Sequence, residues 1–269
     1  MNILFYSPEF NDWMTCINKL KIPNIKIFQT TTNDLNQLVK TLRDNNIDIL
    51  IPTRYNQMKF IINNIKPIKS KVKILCPDDY DIIDLLDNKI KFRDFMIQNE
   101  LENMIPITYQ INKTIFQHII YPCIFKLAIT YAGGGSHICD TSKKVTSYAS
   151  FYHPKEYFLQ EFIYEQTEHG AHLVIDNGKI KWAICYKTIH PSKLYIQKGR
   201  MTEYEKINNF DFTPFEKIFM ALHYSGFACI DFKIVDGNIK IFEINPRLGG
   251  TLVNNKNDFA DMIKFICNN

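Results

Sequence analysis

The chain lacks the segments that mark membrane and secreted proteins. Its 269 residues contain no uninterrupted apolar run of about 18 residues, the length that a membrane-spanning helix needs. The first residues, MNILFYS, lack the basic segment followed by a long apolar segment that forms a signal peptide. We therefore expect a cytoplasmic protein without a membrane span.

Dense basic runs and closely spaced cysteine pairs are also missing. The net charge is only +4, and a nucleic-acid surface usually needs clustered basic residues with aromatics placed to stack, so no nucleic-acid partner is expected. The seven cysteines are dispersed without a CxxC pair, which favours reduced thiols. The motifs at 137–139 (His-x-Cys) and 169–172 (His-x-x-His) lack a second ligand pair at zinc-finger spacing.

What the sequence does contain is enough apolar material for a large core, since 46% of the residues are hydrophobic. The first third alternates between short apolar strands and amphipathic helices. Strands are predicted at 2–6, 25–28, 47–51 and 72–75, and helices at 33–43 and 57–65. Such alternation predicts a parallel α/β sheet.

The segment 227–251, FACIDFKIVDGNIKIFEINPRLGGT, is the most informative part of the chain. Asp-Gly-Asn at 236–238 is turn chemistry between two apolar strands. If these three residues form the loop of a hairpin, Asp231 falls opposite Glu243. Like charges directly opposite repel unless a cation lies between them, and Asn245 faces the same way because strand side chains alternate. Oxygen ligands of this kind suit Mg²⁺.

Two competing interpretations of the hairpin are a pair of solvated carboxylates and a register shifted by one residue. The residues that follow favour a ligand site. Arg247 offers a planar fork of donors suited to phosphate or carboxylate, and Gly249 and Gly250 let the backbone approach a ligand closely.

The string FEINPRLGG, with an aspartate ahead of it in GFACIDFKI, resembles the C-terminal metal motif of the ATP-grasp superfamily of ligases. The resemblance implies that Asp231, Glu243 and Asn245 hold Mg²⁺, or Mn²⁺ in its place, against the phosphates of ATP. It places Arg247 near the transferred phosphate or the substrate.

Two earlier segments resemble further parts of this superfamily, in the same order. Residues 85–109 resemble the entry into its central domain, where Lys89 matches a lysine near the nucleotide phosphates. In 121–139, Lys126 lies in an apolar strand, and a buried ammonium needs a partner such as a phosphate. The loop after it contains Gly133, Gly134, Gly135 and Ser136 and fits neither Walker A nor Rossmann spacing. Its N–H groups could cover a polyphosphate, or the loop could be a flexible turn.

Residues 157–180 resemble the hinge of the superfamily, through Gln160, Glu161, Phe162 and Ile163. The resemblance implies that the Glu161 carbonyl accepts a hydrogen bond from the adenine amine and that the Ile163 N–H donates to a ring nitrogen. Glu168 is the candidate for the ribose, with Glu165 as the alternative. A basic residue later in the chain is expected to reach the triphosphate. Lys187 matches best and Arg200 is the alternative, in a stretch that also contains Lys193 and Lys198.

The resemblance implies an ATP-grasp fold of class α/β, with a small parallel domain at 1–85, a central domain at 86–160 and a C-terminal lobe at 161–269. It implies an enzyme that joins a small-molecule carboxylate to an amine through an acyl phosphate, using ATP and Mg²⁺. The chain is most similar to the carboxylate–amine ligase branch near carbamoyl-phosphate synthetase. A kinase-like enzyme without ligation and a non-catalytic nucleotide-binding protein are the alternatives, and the choice between a monomer and a homodimer stays open.

Overall fold

A computed structural model describes residues 1–6, 11–69, 72–109, 119–130, 134–196 and 203–269. The chain begins with a parallel sheet in the order β2-β1-β3-β4. The predicted alternation of strands and helices is confirmed. Its strands are β1 Asn2–Tyr6, β2 Lys26–Thr30, β3 Ile49–Pro52 and β4 Lys73–Ile74, and its helices are α1 Asn11–Asn18, α2 Leu35–Asp44, α3 Tyr55–Asn63 and α4 Ile65–Lys69.

A second, antiparallel sheet follows in the order β5-β8-β6-β7. Its strands are β5 Thr108–Tyr109, β6 Cys123–Leu127, β7 Ser136–Cys139 and β8 Tyr157–Glu161. The helical elements around it are α5 Tyr80–Asp87, α6 Lys89–Gln98, a 3₁₀ turn Glu102–Met104 and α7 Ser142–Ala149. The Asn88 side chain accepts hydrogen bonds from the N–H groups of Ile90 and Lys91 and so caps α6, which makes Lys89 the first helical residue.

The third sheet is antiparallel, with the order β11-β10-β9-β12-β13. Its strands are β9 Thr167–Asp176, β10 Lys179–Ile189, β11 Glu205–Ile207, β12 Gly226–Val235 and β13 Asn238–Asn245, and the remaining helices are α8 Thr213–Ala221, α9 Gly250–Asn254 and α10 Lys256–Asn268. Residues 162–166 lead from β8 into β9, so this short segment joins the two antiparallel sheets.

Both faces of the third sheet are packed. One face buries Ile230 and Phe232 in a core with Phe92 of α6 and Phe215 of α8. The other face belongs to a core shared with the parallel sheet and α10, where the rings of Phe5 and Phe259 lie 5.9 Å apart. The last helix therefore fixes the position of the first domain against the last sheet.

The described part of the chain contains no helix with the length and apolar composition needed to cross a bilayer. All seven cysteines are free thiols. The chain is thus a mixed α/β protein with one parallel and two antiparallel sheets, as predicted.

Candidate active site

The predicted pair of carboxylates is present in the hairpin of β12 and β13. Asp231 lies directly opposite Glu243, but the predicted three-residue loop is wrong, because Val235 pairs with Asn238 across a two-residue turn. Asp236 and Gly237 both have positive φ, 49° and 79°, which suits the tight turn of a hairpin. A β-bulge at Phe242 then adds one residue to β13, and that extra residue brings Asp231 back opposite Glu243.

The surroundings shift the pKa values of the two carboxyl groups in opposite directions. Burial, with Glu243 and Glu168 nearby, raises the pKa of Asp231 well above its usual range. Burial alone would also raise the pKa of Glu243, but cationic neighbours outweigh it and hold that pKa at about 2. The nearest of them is Lys89, whose Nζ lies 3.0 Å from Oε2 of Glu243. Lys89, predicted to lie near phosphates, therefore enters the same cluster.

Asn245 and Arg247 extend this cluster by hydrogen bonds. Asn245 Nδ2 donates to Oε1 of Glu243 at 3.2 Å, and the guanidinium of Arg247 donates to Oδ1 of Asn245 at 3.2 Å. Arg247 also donates to the carbonyl of Leu248 at 3.0 Å. The motif residues predicted from the resemblance thus form one connected network.

The donor set of this network fits a hard divalent cation. It presents two carboxylates and an amide oxygen on neighbouring strand positions. Among the described residues, no group of three or more His, Cys, Asp or Glu side chains could hold a metal by itself. Mg²⁺ typically uses one or two carboxylates and completes its octahedron with water and substrate phosphates, so Asp231, Glu243 and Asn245 match its needs. The same oxygen ligands suit Mn²⁺.

Lys126 of β6 faces the hairpin from the second sheet. Its side chain is buried, its Nζ lies 5.0 Å from the centre of the Phe242 ring, and no described residue accepts a hydrogen bond from it. Burial and the nearby Lys89 lower the pKa of Lys126 to about 8. A buried ammonium without an acceptor needs an anionic ligand, and a phosphate group would satisfy it.

The loop between β6 and β7 requires glycine at its end. Gly135 has a φ of +65°, and a Cβ there would lie 2.6 Å from Cδ1 of Leu127. Gly134 is exposed, Ser136 is buried, and Gly133 lies outside the described residues. The phosphate-covering role of this loop stays a prediction.

The predicted hinge does join the two antiparallel sheets. The N–H of Glu161 donates to the carbonyl of Ile107 at 2.8 Å, and its carboxylate accepts from the N–H of Ile107 at 2.8 Å, which anchors the end of β8. Gln160 is buried, and its Oε1 accepts no hydrogen bond. Phe162 and Ile163 are buried, and no described group accepts from the Ile163 N–H. The hinge therefore holds an unpaired acceptor and an unpaired donor.

Glu168 lies on the same side of β9 as the carboxylate pair and is one of the charges that raise the pKa of Asp231. Its Oε2 is 3.0 Å from Nε2 of His190, which is buried. Glu165 is partly buried and acts electrostatically on Lys233. Glu168 is thus nearer to the metal pair, but its contact with a ribose stays a prediction.

The structure places Lys187 away from the carboxylate pair. Lys187 pairs across the sheet with His169, whereas Glu168 pairs with Thr188, so the two side chains leave opposite faces. Its Nζ lies 3.2 Å from the carboxylate of Glu205. Lys193 is exposed, and Lys198 and Arg200 lie outside the described residues. The predicted phosphate contact of Lys187 or Arg200 remains untested.

Two residues of the site, Lys233 and His190, escaped the sequence reasoning, and His172 was considered there only as a zinc ligand. Lys233 is buried in β12, although it lies in an apolar strand, the signal that singled out Lys126. His172 is buried with both ring nitrogens unpaired, and burial lowers its pKa to about 3. A Cβ at Gly249 would lie 2.3 Å from Cε1 of His172, so this ring packs under the loop that follows Arg247.

Comparison with known proteins adds to this geometry. A model of the ATP-grasp domain matches residues 87–251. Comparison with curated protein sequences finds no match. Among solved structures, D-alanine–D-alanine ligase from Bacillus anthracis, complexed with ATP, superposes with a TM-score of 0.66 at 14% identity, covering 100% of this chain and 96% of the ligase.

Two other solved structures share the fold. A biotin carboxylase from Campylobacter jejuni has a TM-score of 0.63 at 13% identity, covering 98% of this chain and 70% of that protein. An L-amino acid ligase from Bacillus licheniformis has a TM-score of 0.58 at 14% identity, covering 94% of this chain and 68% of that protein.

Proposed function

Because the chain belongs to the ATP-grasp family, we propose that it is an ATP-dependent ligase that joins a small-molecule carboxylate to an amine. The observation that carries the proposal is the convergence of two cations, Lys89 and Lys126, on a hairpin that carries two opposed carboxylates. Two cations beside two opposed carboxylates suit a complex of a metal ion with a polyphosphate.

ATP would lie between the two antiparallel sheets. Its base would meet the hinge, where the Glu161 carbonyl would accept from the exocyclic amine and the Ile163 N–H would donate to a ring nitrogen. Gln160 Oε1 offers a further unpaired acceptor there. The Bacillus anthracis ligase, which shares this fold, was solved in complex with ATP, and this supports a nucleotide site here. Lys126 would donate to the phosphates from the second sheet, because it has no described acceptor of its own.

Asp231, Glu243 and Asn245 would hold Mg²⁺, which supplies charge neutralisation to the phosphate oxygens when it is bound. Glu243 forms an ion pair with Lys89, which holds its pKa low, so its carboxylate is ionised and suited to be a ligand. Arg247, held by Asn245, presents the rest of its donor fork toward the transferred phosphate or the substrate carboxylate.

The reaction needs positioning more than a protein nucleophile. An oxygen of the substrate carboxylate attacks the γ-phosphorus, the bond to the β–γ bridging oxygen breaks, and ADP leaves with an acyl phosphate formed. The amine nitrogen then attacks the acyl carbon, phosphate leaves with the bonding electrons, and the amine gives up one proton. The lysines and Arg247 offset the negative charge on the phosphoryl oxygens throughout.

An ADP-release screen over pooled carboxylates and amines tests this proposal, with hydroxylamine added to trap an acyl phosphate as a hydroxamate. We expect active pools to yield ADP, phosphate and an amide, and hydroxylamine to divert product to a hydroxamate. ADP release without an amide or hydroxamate in any pool would contradict ligation, and a phosphorylated substrate in its place would identify a kinase. The Glu243→Gln variant serves as the inactive control.

A further inference from the structure

Lys233 is a buried lysine with no role in the chemistry described above. Its side chain is only 3% exposed, in a strand that is otherwise apolar around it. An ammonium carries three donors, and leaving them unpaired in a protein interior is costly. Among the described residues, only the Ile163 carbonyl accepts from its Nζ, at a long 3.5 Å. Lys233 therefore retains donor capacity beside the hinge.

Two aromatic rings lie beside Lys233. Its Nζ lies 5.9 Å from the centre of the Phe162 ring and 5.9 Å from that of Phe242. The Phe242 ring also lies 5.0 Å from Nζ of Lys126, the candidate phosphate ligand. Lys233 therefore lies between the hinge residue Phe162 and the candidate phosphate ligand Lys126, beside two aromatic rings. Aromatic rings next to a hydrogen-bond donor suit the flat, apolar faces and ring acceptors of a nucleobase.

Two acidic residues lie near Lys233. The carboxylates of Glu168 and Glu165 act on it attractively, and they oppose the effect of burial, which lowers its pKa. The charged neighbours of Lys233 are therefore two acids and Lys126, and none of the acids forms an ion pair with it among the described contacts. With one long hydrogen bond to the hinge, Lys233 keeps N–H groups free for an acceptor that binds there.

We propose that Lys233 is a specificity-determining residue of the nucleotide site, which donates a hydrogen bond to a ring nitrogen of the bound purine. This inference rests on the proposed function, since it places the base at the hinge. The Ile163 N–H accounts for one ring nitrogen and the Glu161 carbonyl for the exocyclic amine, so the acceptor for Lys233 is one of the other two, N3 or N7. A pyrimidine offers no equivalent pair of acceptors.

Binding of nucleotide analogues tests the assignment directly. Titration calorimetry would measure ADP, 3-deaza-ADP and 7-deaza-ADP, each with Mg²⁺, against the wild-type chain, Lys233→Met and Lys240→Met. Lys240 is the matched control, because it pairs with Lys233 across the hairpin and donates to the carbonyls of Asn103 and Ile105. Each variant replaces a lysine of the same hairpin with an apolar side chain of similar length.

We expect wild-type chain to bind one deaza analogue about tenfold more weakly than ADP, the loss typical of a hydrogen bond from a charged donor. Lys233→Met should bind ADP about tenfold more weakly and no longer distinguish ADP from that analogue. Lys240→Met should behave as the wild-type chain.

Equal affinity of the wild-type chain for ADP and both deaza analogues would overturn the assignment, as would unchanged discrimination in Lys233→Met. The wild-type comparison decides the question even if Lys233→Met fails to fold. Failure of the wild-type chain to bind ADP at all would instead remove the proposed function, and this inference with it, so the two failures have different signatures.

Discussion

Two hairpins of the third sheet have the same construction and different consequences. The hairpin β9–β10 turns at Asn177 and Gly178, with φ of 45° and 76°, and the hairpin β12–β13 turns at Asp236 and Gly237, with φ of 49° and 79°. Each turn has two residues, and each hairpin contains one irregularity in its ladder. Both sequences are of the Asn-Gly or Asp-Gly type that favours such turns.

The difference lies in where the extra residue falls. In β9–β10 it is Lys181, close to the turn and exposed to solvent. In β12–β13 it is Phe242, next to Glu243, and it sets the pairing of the carboxylates. The turn therefore makes a hairpin in both cases, whereas the position of the bulge decides whether the hairpin carries chemistry.

The strongest test of this comparison removes one charge from each hairpin. Glu243→Gln takes away a proposed metal ligand and leaves Lys89 buried without its carboxylate partner, so we expect ADP release to fall by about a thousandfold or more. Asp176→Asn changes an exposed carboxylate beside the other turn and should leave the rate unchanged. Steady-state ADP release, with circular dichroism as a check on folding, measures both. Wild-type activity in Glu243→Gln would remove the metal assignment.

Gly249 and Gly250, which follow β13, test the contact of this segment with β9 of the other hairpin. In Gly249→Ala the new methyl would lie 2.3 Å from Cε1 of His172 in β9, so either the ring or the Arg247 loop must move. Overpacking of this kind costs about 1–3 kcal/mol, and we expect a lower melting temperature and at least tenfold slower ADP release. At Gly250 the nearest atom to a new Cβ is 3.6 Å away, in Trp13. Gly250→Ala should therefore retain the wild-type stability, and equal losses in both variants would contradict the packing argument.

The pH dependence sharpens the role of Lys126 above the Phe242 bulge. Because burial lowers the pKa of Lys126 from 10.5 to about 8, kcat/KM for ATP should fall about tenfold per pH unit above pH 8. Over the same window the unfolded chain binds more protons than the folded chain, so this group raises stability as the pH rises from about 8 to 10.5.

Activity and stability should therefore move in opposite directions with pH. Rate profiles and urea titrations between pH 7 and about 10 would show this. Lys126→Arg keeps its charge throughout and should lose the descending limb of the profile. A descending limb that persists in Lys126→Arg would assign the titration to another group.

The smallest expected effects come from alanine substitutions at the glycines of the two turns, Gly237 and Gly178. Alanine at Gly237 meets no atom within 4 Å and bears only the strain of a positive φ, so we expect a loss of about 1–2 kcal/mol in unfolding free energy. Alanine at Gly178 has the same backbone strain but would also lie 2.6 Å from Cα of Met220. Gly178→Ala should be the more destabilised variant by urea unfolding, and the reverse order would show that the surroundings of the turns do not matter.

Much of the architecture follows from the sequence, because strand and helix periodicity and the ATP-grasp resemblance both depend on local patterns. The pairing of Asp231 with Glu243 was predicted correctly but for the wrong reason. A three-residue loop without a bulge gives the same pairing as a two-residue loop with one. A bulge depends on packing against the neighbouring strand, which no turn motif encodes.

Contacts between distant segments lay beyond sequence reasoning. The Lys89–Glu243 ion pair joins a helix start to the last strand, and only the packing of α6 against the sheet makes it. Lys233 was within reach, since it has the same signal as Lys126, a lysine in an apolar strand. The motif at His169 and His172 gave no site, because residues three apart on a strand leave opposite faces.

Because the bulge at Phe242 sets the pairing of Asp231 with Glu243, substitutions and changes of length in this segment should have different effects. Exposed side chains between Asp231 and Glu243, such as that of Asn238, can be exchanged without moving either carboxylate, because the turn and the ladder are set by the backbone. The number of residues between them has no such freedom, since one insertion or deletion would turn Glu243 to the other face unless a bulge absorbs it. We therefore expect random libraries of this hairpin to yield many active substitutions and almost no active length variants.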